Sequence, residues 1–324
     1  MEAWRAARII VALLASFSLA SCADSGGGIG GTGYVSNGTI TAFGSIVVND
    51  VEFDTRNAEV IIGGRSKGAG NQAVLENLDV GQAVVVEGTE NDDGSFGTAT
   101  RVRFTPHVKG PVAQINHNEK RIVVLGQTII TDDSTVFKDL NGTITINDLA
   151  FNNLIEVSGL VENMAGAIRA THVRKIADSF DPSTEVEVKG VIRDLDSGAQ
   201  TFRLNGLGVY YGLAAVGSLP DGTPRSGQWV HVMGRVAGGT LEATVVELAD
   251  EARIANADRV VLEGFITDFV STSDFMVGNM QVQAGGDTNF VRGQKEDLAA
   301  GVRILVRGRL MDGVLQAQQI IFRK

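Results

Sequence analysis

Leu78-Asp79-Val80-Gly81-Gln82-Ala83-Val84-Val85-Val86-Glu87-Gly88 reads as a short polar lead-in followed by a strand. The chain then passes through a tight turn at Asn91-Asp92-Asp93-Gly94 into a second strand, Ala99-Thr100-Arg101-Val102-Arg103-Phe104. The phrase returns three more times and can be aligned on the glycine that closes its first strand: Gly88, Gly159, Gly234 and Gly308, at spacings of 71, 75 and 74 residues. Two positions earlier stand Val86, Val157, Val232 and Val306, and four earlier Val84, Ile155, Val230 and Ile304. The intervening positions are mixed: Glu87, Ser158, Met233 and Arg307, then Val85, Glu156, His231 and Leu305. Fixed apolar character on one parity with free choice on the other is the pattern of a strand with one buried face.

The second strand repeats the logic. Ala99, Ala170, Ala243 and Ala317 are each followed three residues later by Val102, Val173, Val246 or Ile320. The turns between contain Asp93-Gly94, Ala165-Gly166, Gly238-Gly239 and Asp312-Gly313, where glycine supplies the positive φ of a short hairpin. A length of 324 residues suggests about two domains at ~150 residues each, but the repeat overrides that estimate and divides the chain into four units. Forty glycines, five prolines and 6% aromatics suit many short strands joined by turns. Units this small bury modest cores, so neighbours are expected to pack together.

Residues 1–22 read as an export signal. Arg5 and Arg8 precede the apolar run Ile9 to Leu19, which is too short to span a membrane as a mature helix. It ends in Leu19-Ala20-Ser21-Cys22, which resembles a bacterial lipobox; the resemblance implies lipidation at Cys22, the only cysteine of the chain. Ala23 after the cysteine implies sorting to the outer membrane, and multiple acyl chains would anchor the protein stably, facing the periplasm or the surface. Residues 23–33 form a glycine-rich tether of flexible character. Removal of Glu2, Arg5 and Arg8 with the leader takes the formal net charge from −10 to −11. An acidic chain lacks the cationic surface that releases counterions, so no nucleic-acid partner is expected. Arg101, Arg103 and Lys109, and Arg169, Arg174 and Lys175, are expected to be solvated strand faces.

The four units span 34–104, 105–177, 184–249 and 257–324. The first is expected to hold about five strands, with a polar glycine-rich loop from Gly63 to Gln72 and a helical turn at Leu75-Glu76-Asn77-Leu78 between strands three and four. Asp178 to Ser183 and Ala252 to Asp258 read as linkers. The expected fold class is all-β: four tandem, small, five-stranded OB-like β-barrels. Gly38-Thr39-Ile40-Thr41-Ala42-Phe43-Gly44-Ser45, Val51-Glu52-Phe53-Asp54-Thr55, Leu78-Asp79-Val80-Gly81 and Val86-Glu87-Gly88 with Gly97-Thr98-Ala99-Thr100 resemble the bacterial lipoprotein and cell-surface repeat called domain of unknown function 5666. The likeness covers nearly all of the chain after the leader. It is weakest in the third unit, where Gly227-Gln228-Trp229 replaces the lead-in. The family has no established catalytic residues, so the resemblance assigns none here.

Chemistry-bearing constellations are sparse. His107, His117, His172 and His231 lack metal-ligand spacing and are expected on exposed strand positions, with no metal site and no cofactor. The aspartates of Asn91-Asp92-Asp93-Gly94 and Thr131-Asp132-Asp133-Ser134 are expected to cap turns. Trp229, with Tyr210 and Tyr211, is the one aromatic concentration and the candidate ligand-binding surface; its alternative role is to fill a barrel edge. The expected function is a lipid-anchored cell-envelope binding or scaffolding module, non-catalytic, with an envelope protein or a glycan as partner. The alternative is a periplasmic carbohydrate or small-ligand receptor using the aromatic surface of the third unit.

Overall fold

The computed structural model describes residues 33–323; Cys22 and most of the tether lie outside the described residues. In repeat 1 the alternating segments pair in a closed circuit. Tyr34–Ala42 pairs antiparallel with Ile46–Val48, and that strand with Val51–Asp54. Val51–Asp54 runs parallel to Phe96–Phe104, which pairs antiparallel with Ala83–Glu90, and Ala83–Glu90 returns to Tyr34–Ala42. This is a five-stranded barrel of OB type. Repeats 2 and 4 close by the same pairings. In repeat 3 the first strand breaks at Ile192 into Val186–Val191 and Arg193–Asp196, which pair with different neighbours.

Between strands three and four, repeat 1 departs from the expected loop. Glu59–Ile62 and Arg65–Ala69 form a hairpin across Gly63-Gly64, both at positive φ, and the chain then enters a helix over Gly70–Asn77. The polar residues 65–69 therefore make a fully exposed edge strand, and the helix buries Ala73 and Val74. Repeat 2 keeps a shorter hairpin there, Val136–Asp139 with Gly142–Thr143, and in place of the helix the other repeats carry single 3-10 turns: Ile146–Asp148, Pro220–Gly222 and Lys295–Asp297. The second linker, read as at most one helical turn, has the 3-10 turn Asp250–Arg253 at its start, and the long strand Ala257–Ser271 begins within it.

The aligned glycines do not close their strands. Ala83–Glu90, Leu154–Val161, Trp229–Ala237 and Arg303–Met311 all run past them. Each glycine sits at a register shift against the fifth strand. A Cβ at Gly88 would lie 2.0 Å from the Thr98 carbonyl oxygen, and the other three sites are as tight, at 2.1–2.2 Å. The bulge brings partner backbone where a side chain would be. The carbonyl just before the glycine is then capped by a hydroxyl: Thr100 to Glu87 O, Thr171 to Ser158 O and Thr244 to Met233 O.

The lead-in turn survives in repeat 3 despite its altered sequence. Gly81, Asn152, Gly227 and Gly301 all hold positive φ, and their N–H groups donate to Ile40, Val112, Ile192 and Ile266. In the first three repeats the next side chain, Gln82, Asn153 or Gln228, accepts from the N–H three residues upstream. The motif is a backbone conformation, which Gly227-Gln228 satisfies with different letters.

The barrels are fused in pairs. Tyr34–Asn37 runs parallel to Arg259–Leu262, joining repeats 1 and 4 into one 12-stranded sheet. Val108 and Lys109 pair antiparallel with Val188 and Glu187, joining repeats 2 and 3 into a 13-stranded sheet. Core packing follows: the apolar clusters of repeats 2 and 3 are continuous, while Val35 and Val85 of repeat 1 pack into repeat 4 and Val261 and Leu305 of repeat 4 into repeat 1. The fourth strand of repeat 2 lies against repeats 1 and 4, and Ala83 N–H donates to Ser158 Oγ at 2.8 Å. Consequently the mixed parity of the sequence pattern is not a solvent face. Val85, Glu156, His231 and Leu305 are buried, as are Glu87, Ser158 and Met233. Gly88→Ala is expected to destabilise the protein by about 1–3 kcal/mol through the carbonyl clash, whereas Gly217→Ala, in open space, should stay within about 0.5 kcal/mol. Denaturant midpoints of the two variants provide the measurement.

Candidate functional site

Three of the four repeats meet around a cleft of about 620 Å³. Repeat 2 contributes His107, Val161, Met164 and Ile168; repeat 4 contributes Thr267, Asp268, Met276, Met280 and Leu310. Repeat 3 and the segment after it supply Lys189, Arg193, Gln228, Trp229 and Glu251. The volume falls in the range of small-molecule sites, and the walls mix a large aromatic and thioethers with amide, hydroxyl and charged side chains.

Trp229 is positioned by the lead-in turn. Gly227 N–H donates to Ile192 O, Ile192 N–H donates to Gln228 O, and Trp229 opens the fourth strand of its barrel. Trp229 is 9% exposed, and its indole N–H donates to Glu251 at 3.4 Å. It stands 6.2 Å from the His107 ring at a tilt of 56°. Glu251 also accepts from Lys189 at 2.7 Å. Burial, the largest single influence, would raise the Glu251 carboxyl, but the charge and hydrogen bond of Lys189 together with smaller neighbouring contributions hold the group down to about 2. Burial and the same ammonium push the His107 imidazole down to about 3, so it is neutral at ordinary pH. The inner wall therefore carries a compensated ion pair beside an uncharged ring. Arg193 and Asp268 differ: among the described residues neither has an oppositely charged partner within ion-pair distance. Arg193 reaches only Met164 O, at 3.4 Å.

The tyrosines do not join Trp229. Tyr211 stacks on Phe202 at 5.5 Å and packs on the shared core of repeats 2 and 3, and Tyr210 is half-buried; neither lines the cleft. Tyr210 ends the third strand of its barrel and Trp229 opens the fourth, and only Trp229 is on the cleft wall. The histidines also correct the expectation of exposed positions: only His117 is exposed, while His107, His172 and His231 are buried at the seams between repeats. Burial and, to a lesser degree, nearby cations lower His172 to about 4 despite the opposing pull of Asp79. The basic strand residues are likewise ion-paired rather than simply solvated: Arg101 and Arg103 hold the fully buried Glu87 carboxylate, Arg174 pairs with Glu156, and Lys109 with Glu187. The aspartate turns behave as expected, with Asp93 accepting from Ser95 and Asp132 from Ser134. Among the described residues no three His, Cys, Asp or Glu side chains are grouped to hold a metal ion.

A second polar centre lies off the cleft, on the face of repeat 3 that meets the Gly63-Gly64 turn of repeat 1. His231 places Nε2 3.1 Å from Glu187 and Nδ1 3.3 Å from Glu247, and Glu247 is also held by Arg253 at 2.6 Å. Burial opposes the imidazolium, but the two carboxylate hydrogen bonds prevail and raise its pKa above the usual histidine range. Burial likewise opposes the ionised Glu187 and Glu247, yet the His231 contact lowers both. A base raised on folding contributes fully below its unfolded value, ~6.5, and loses its contribution as pH rises through the folded value; the lowered carboxylates contribute above ~4.5 and lose it on acidification. The triad is thus most stabilising between about pH 4.5 and 6.5. Thermal unfolding should show a loss of stability above pH 6.5 that His231→Gln flattens, and a replacement that leaves the slope intact would show that His231 is not the titrating group.

No curated protein matches the chain. Among solved structures, a Drosophila protein described as Unr CSD456 aligns over 68% of this chain and 98% of its own at 13% identity, with a TM-score of 0.17. A family model described as domain of unknown function DUF5666 matches residues 32–103, 109–174, 189–247 and 263–321. Those four spans cover most of the chain, one on each barrel, and the chain belongs to the DUF5666 family.

Proposed function

We propose that this chain is a non-catalytic binding protein of the bacterial cell envelope, anchored to the outer membrane through Cys22 and receiving a small ligand in the cleft beside Trp229. The observation that carries this reading is the cleft itself: about 620 Å³, formed only where three repeats meet, with a tryptophan on its wall. Its inner charges are already compensated by the Lys189–Glu251 pair, an arrangement suited to holding a ligand rather than attacking one. The lipobox at Leu19 to Cys22 supports the anchor, and the glycine-rich tether would let the barrels stand off the membrane. A purely scaffolding role, with an envelope protein or glycan on the outer faces, gives the cleft no part to play. The ligand reading therefore leads, with the site moved from a flat aromatic surface to an inter-repeat cleft.

The test is a thermal-shift panel of cell-wall fragments, oligosaccharides and amphiphiles on the full chain carrying Cys22→Ser. A ligand present at ~100 times its Kd should stabilise the protein by about 2.7 kcal/mol, and Trp229→Phe should reduce the shift. Truncation to alanine is less informative, because removing a ring this buried costs about 3–5 kcal/mol on its own. Fractionation of cells tests the anchor: the wild-type chain is expected in the outer-membrane fraction and Cys22→Ser outside it, and an unchanged distribution would refute lipid anchoring at that residue.

A further inference from the structure

The chemistry of the cleft narrows its ligand, given the binding role proposed above. Apolar side chains come from all three contributing repeats, including Val161 and Met164, Trp229, and Met276, Met280 and Leu310. Thioethers on unbranched stems adapt to a flexible hydrocarbon better than to a rigid sugar ring, which needs fixed hydrogen bonds around its edge. At the inner wall no charge is left over, because Lys189 is paired with Glu251 and His107 is neutral. Two charges of opposite sign do remain uncompensated: the exposed Arg193 of repeat 3 and the half-buried Asp268 of repeat 4. The lining is mostly apolar, and the polar side chains of Asn163, Asn205, Gln228 and Thr267 on it are bonded within the protein. Such a lining with one free cation and one free anion matches a molecule with a hydrocarbon body and a head bearing both signs.

The placement of the tether supports a membrane source. Gly33, the first described residue, accepts from Arg259 N–H at 2.9 Å. Arg259 lies two residues from Ala257, whose strand partner is Leu310 on the cleft wall. The root of the tether is therefore about 12 Å from the cleft by strand geometry. A chain running from Cys22 to Gly33 reaches at most about 40 Å, so an anchored protein would keep the cleft close to the lipid surface.

We propose that the cleft binds a single-chain amphiphile with a zwitterionic head group, its acyl chain between Trp229 and the methionines, its anionic group toward Arg193 and its cationic group toward Asp268.

The experiment uses the full chain with Trp4→Phe and Cys22→Ser, so that Trp229 is the sole indole and no attached lipid competes. The probe is a lysophosphatidylethanolamine whose acyl chain carries bromine at its middle, titrated below its aggregation concentration; bromine in contact with the indole quenches its emission. Saturable quenching is expected. Met164→Asp, which places a charge on the apolar wall at a residue 59% exposed, should weaken it on the order of tenfold without moving the unfolding midpoint. Arg193→Gln and Asp268→Asn should each weaken it severalfold. The absence of saturable quenching, or quenching indifferent to Met164→Asp, overturns the proposal. Quenching indifferent to both Arg193→Gln and Asp268→Asn overturns the zwitterionic head. If the lipid fails but an oligosaccharide or cell-wall fragment shifts Trp229 emission in a Met164→Asp-sensitive way, the ligand class is wrong and the cleft still binds. If no probe alters Trp229, both the class and the cleft reading fail.

Discussion

Each first strand offers more backbone edge than its own barrel can pair. In repeat 1, Ile40 and Ala42 pair with the second strand and close the barrel, while Tyr34 to Asn37 have the fourth strand on one side only. Their other edge would be a row of open N–H and C=O groups, costly if buried and adhesive if exposed. Repeat 4 presents the same open half-strand at Arg259–Leu262, and the two satisfy each other. Repeats 2 and 3 solve the same problem through Val108-Lys109 and Glu187-Val188. Pairing of these half-strands makes two double barrels from four small ones, and the shared cores and seams follow from it.

That arrangement explains the polar burial. A barrel standing alone would expose the outward residues of its fourth strand to water, where Glu87, Glu156 and His231 need no partner. Stacking the double barrels removes the water, so each buried charge requires compensation. The structure supplies it locally: Arg101 and Arg103 for Glu87, the Glu187–His231–Glu247 triad with Arg253, and Arg174 in part for Glu156, whose carboxyl burial still raises. Different seams use different chemistry at the same repeat position, from a hydrocarbon at Val85 and Leu305 to a carboxylate at Glu156 and an imidazolium at His231. Divergence there distinguishes one seam from another and favours a single arrangement of units that share one fold. The cleft is the remainder of this packing, the place where three repeats meet without filling the space between them.

The repeated apolar parity, the hairpin glycines and the lead-in were sufficient to specify four small β-barrels, because strand alternation and positive-φ turns are local constraints that each residue satisfies with its near neighbours. Even so, the local record was incomplete. Gly88 and its equivalents stood out by position, but a strand-closing glycine and a bulge glycine look alike until the fifth strand's carbonyl is placed against them. Gly227-Gln228-Trp229 looked like a departure, yet it folds into the same turn as Leu78 to Gln82, since the turn demands a conformation and one side-chain acceptor rather than a fixed set of letters.

Trp229 was visible in the sequence as an unusual residue in an aromatic-poor chain, but its companions were not. Tyr210 and Tyr211 are close to it along the repeat and lie off the cleft, whereas His107, Glu251 and Met276 come from different units and surround it. The same distance along the chain hid the burial of three histidines. What the sequence determined by itself is the fold of each repeat, an outcome of periodicity within about 70 residues. The pairing of repeat 1 with 4 and 2 with 3, the charge network and the cleft were decided only by the tertiary structure, because they depend on which half-strand edges meet and on the water that leaves when they do.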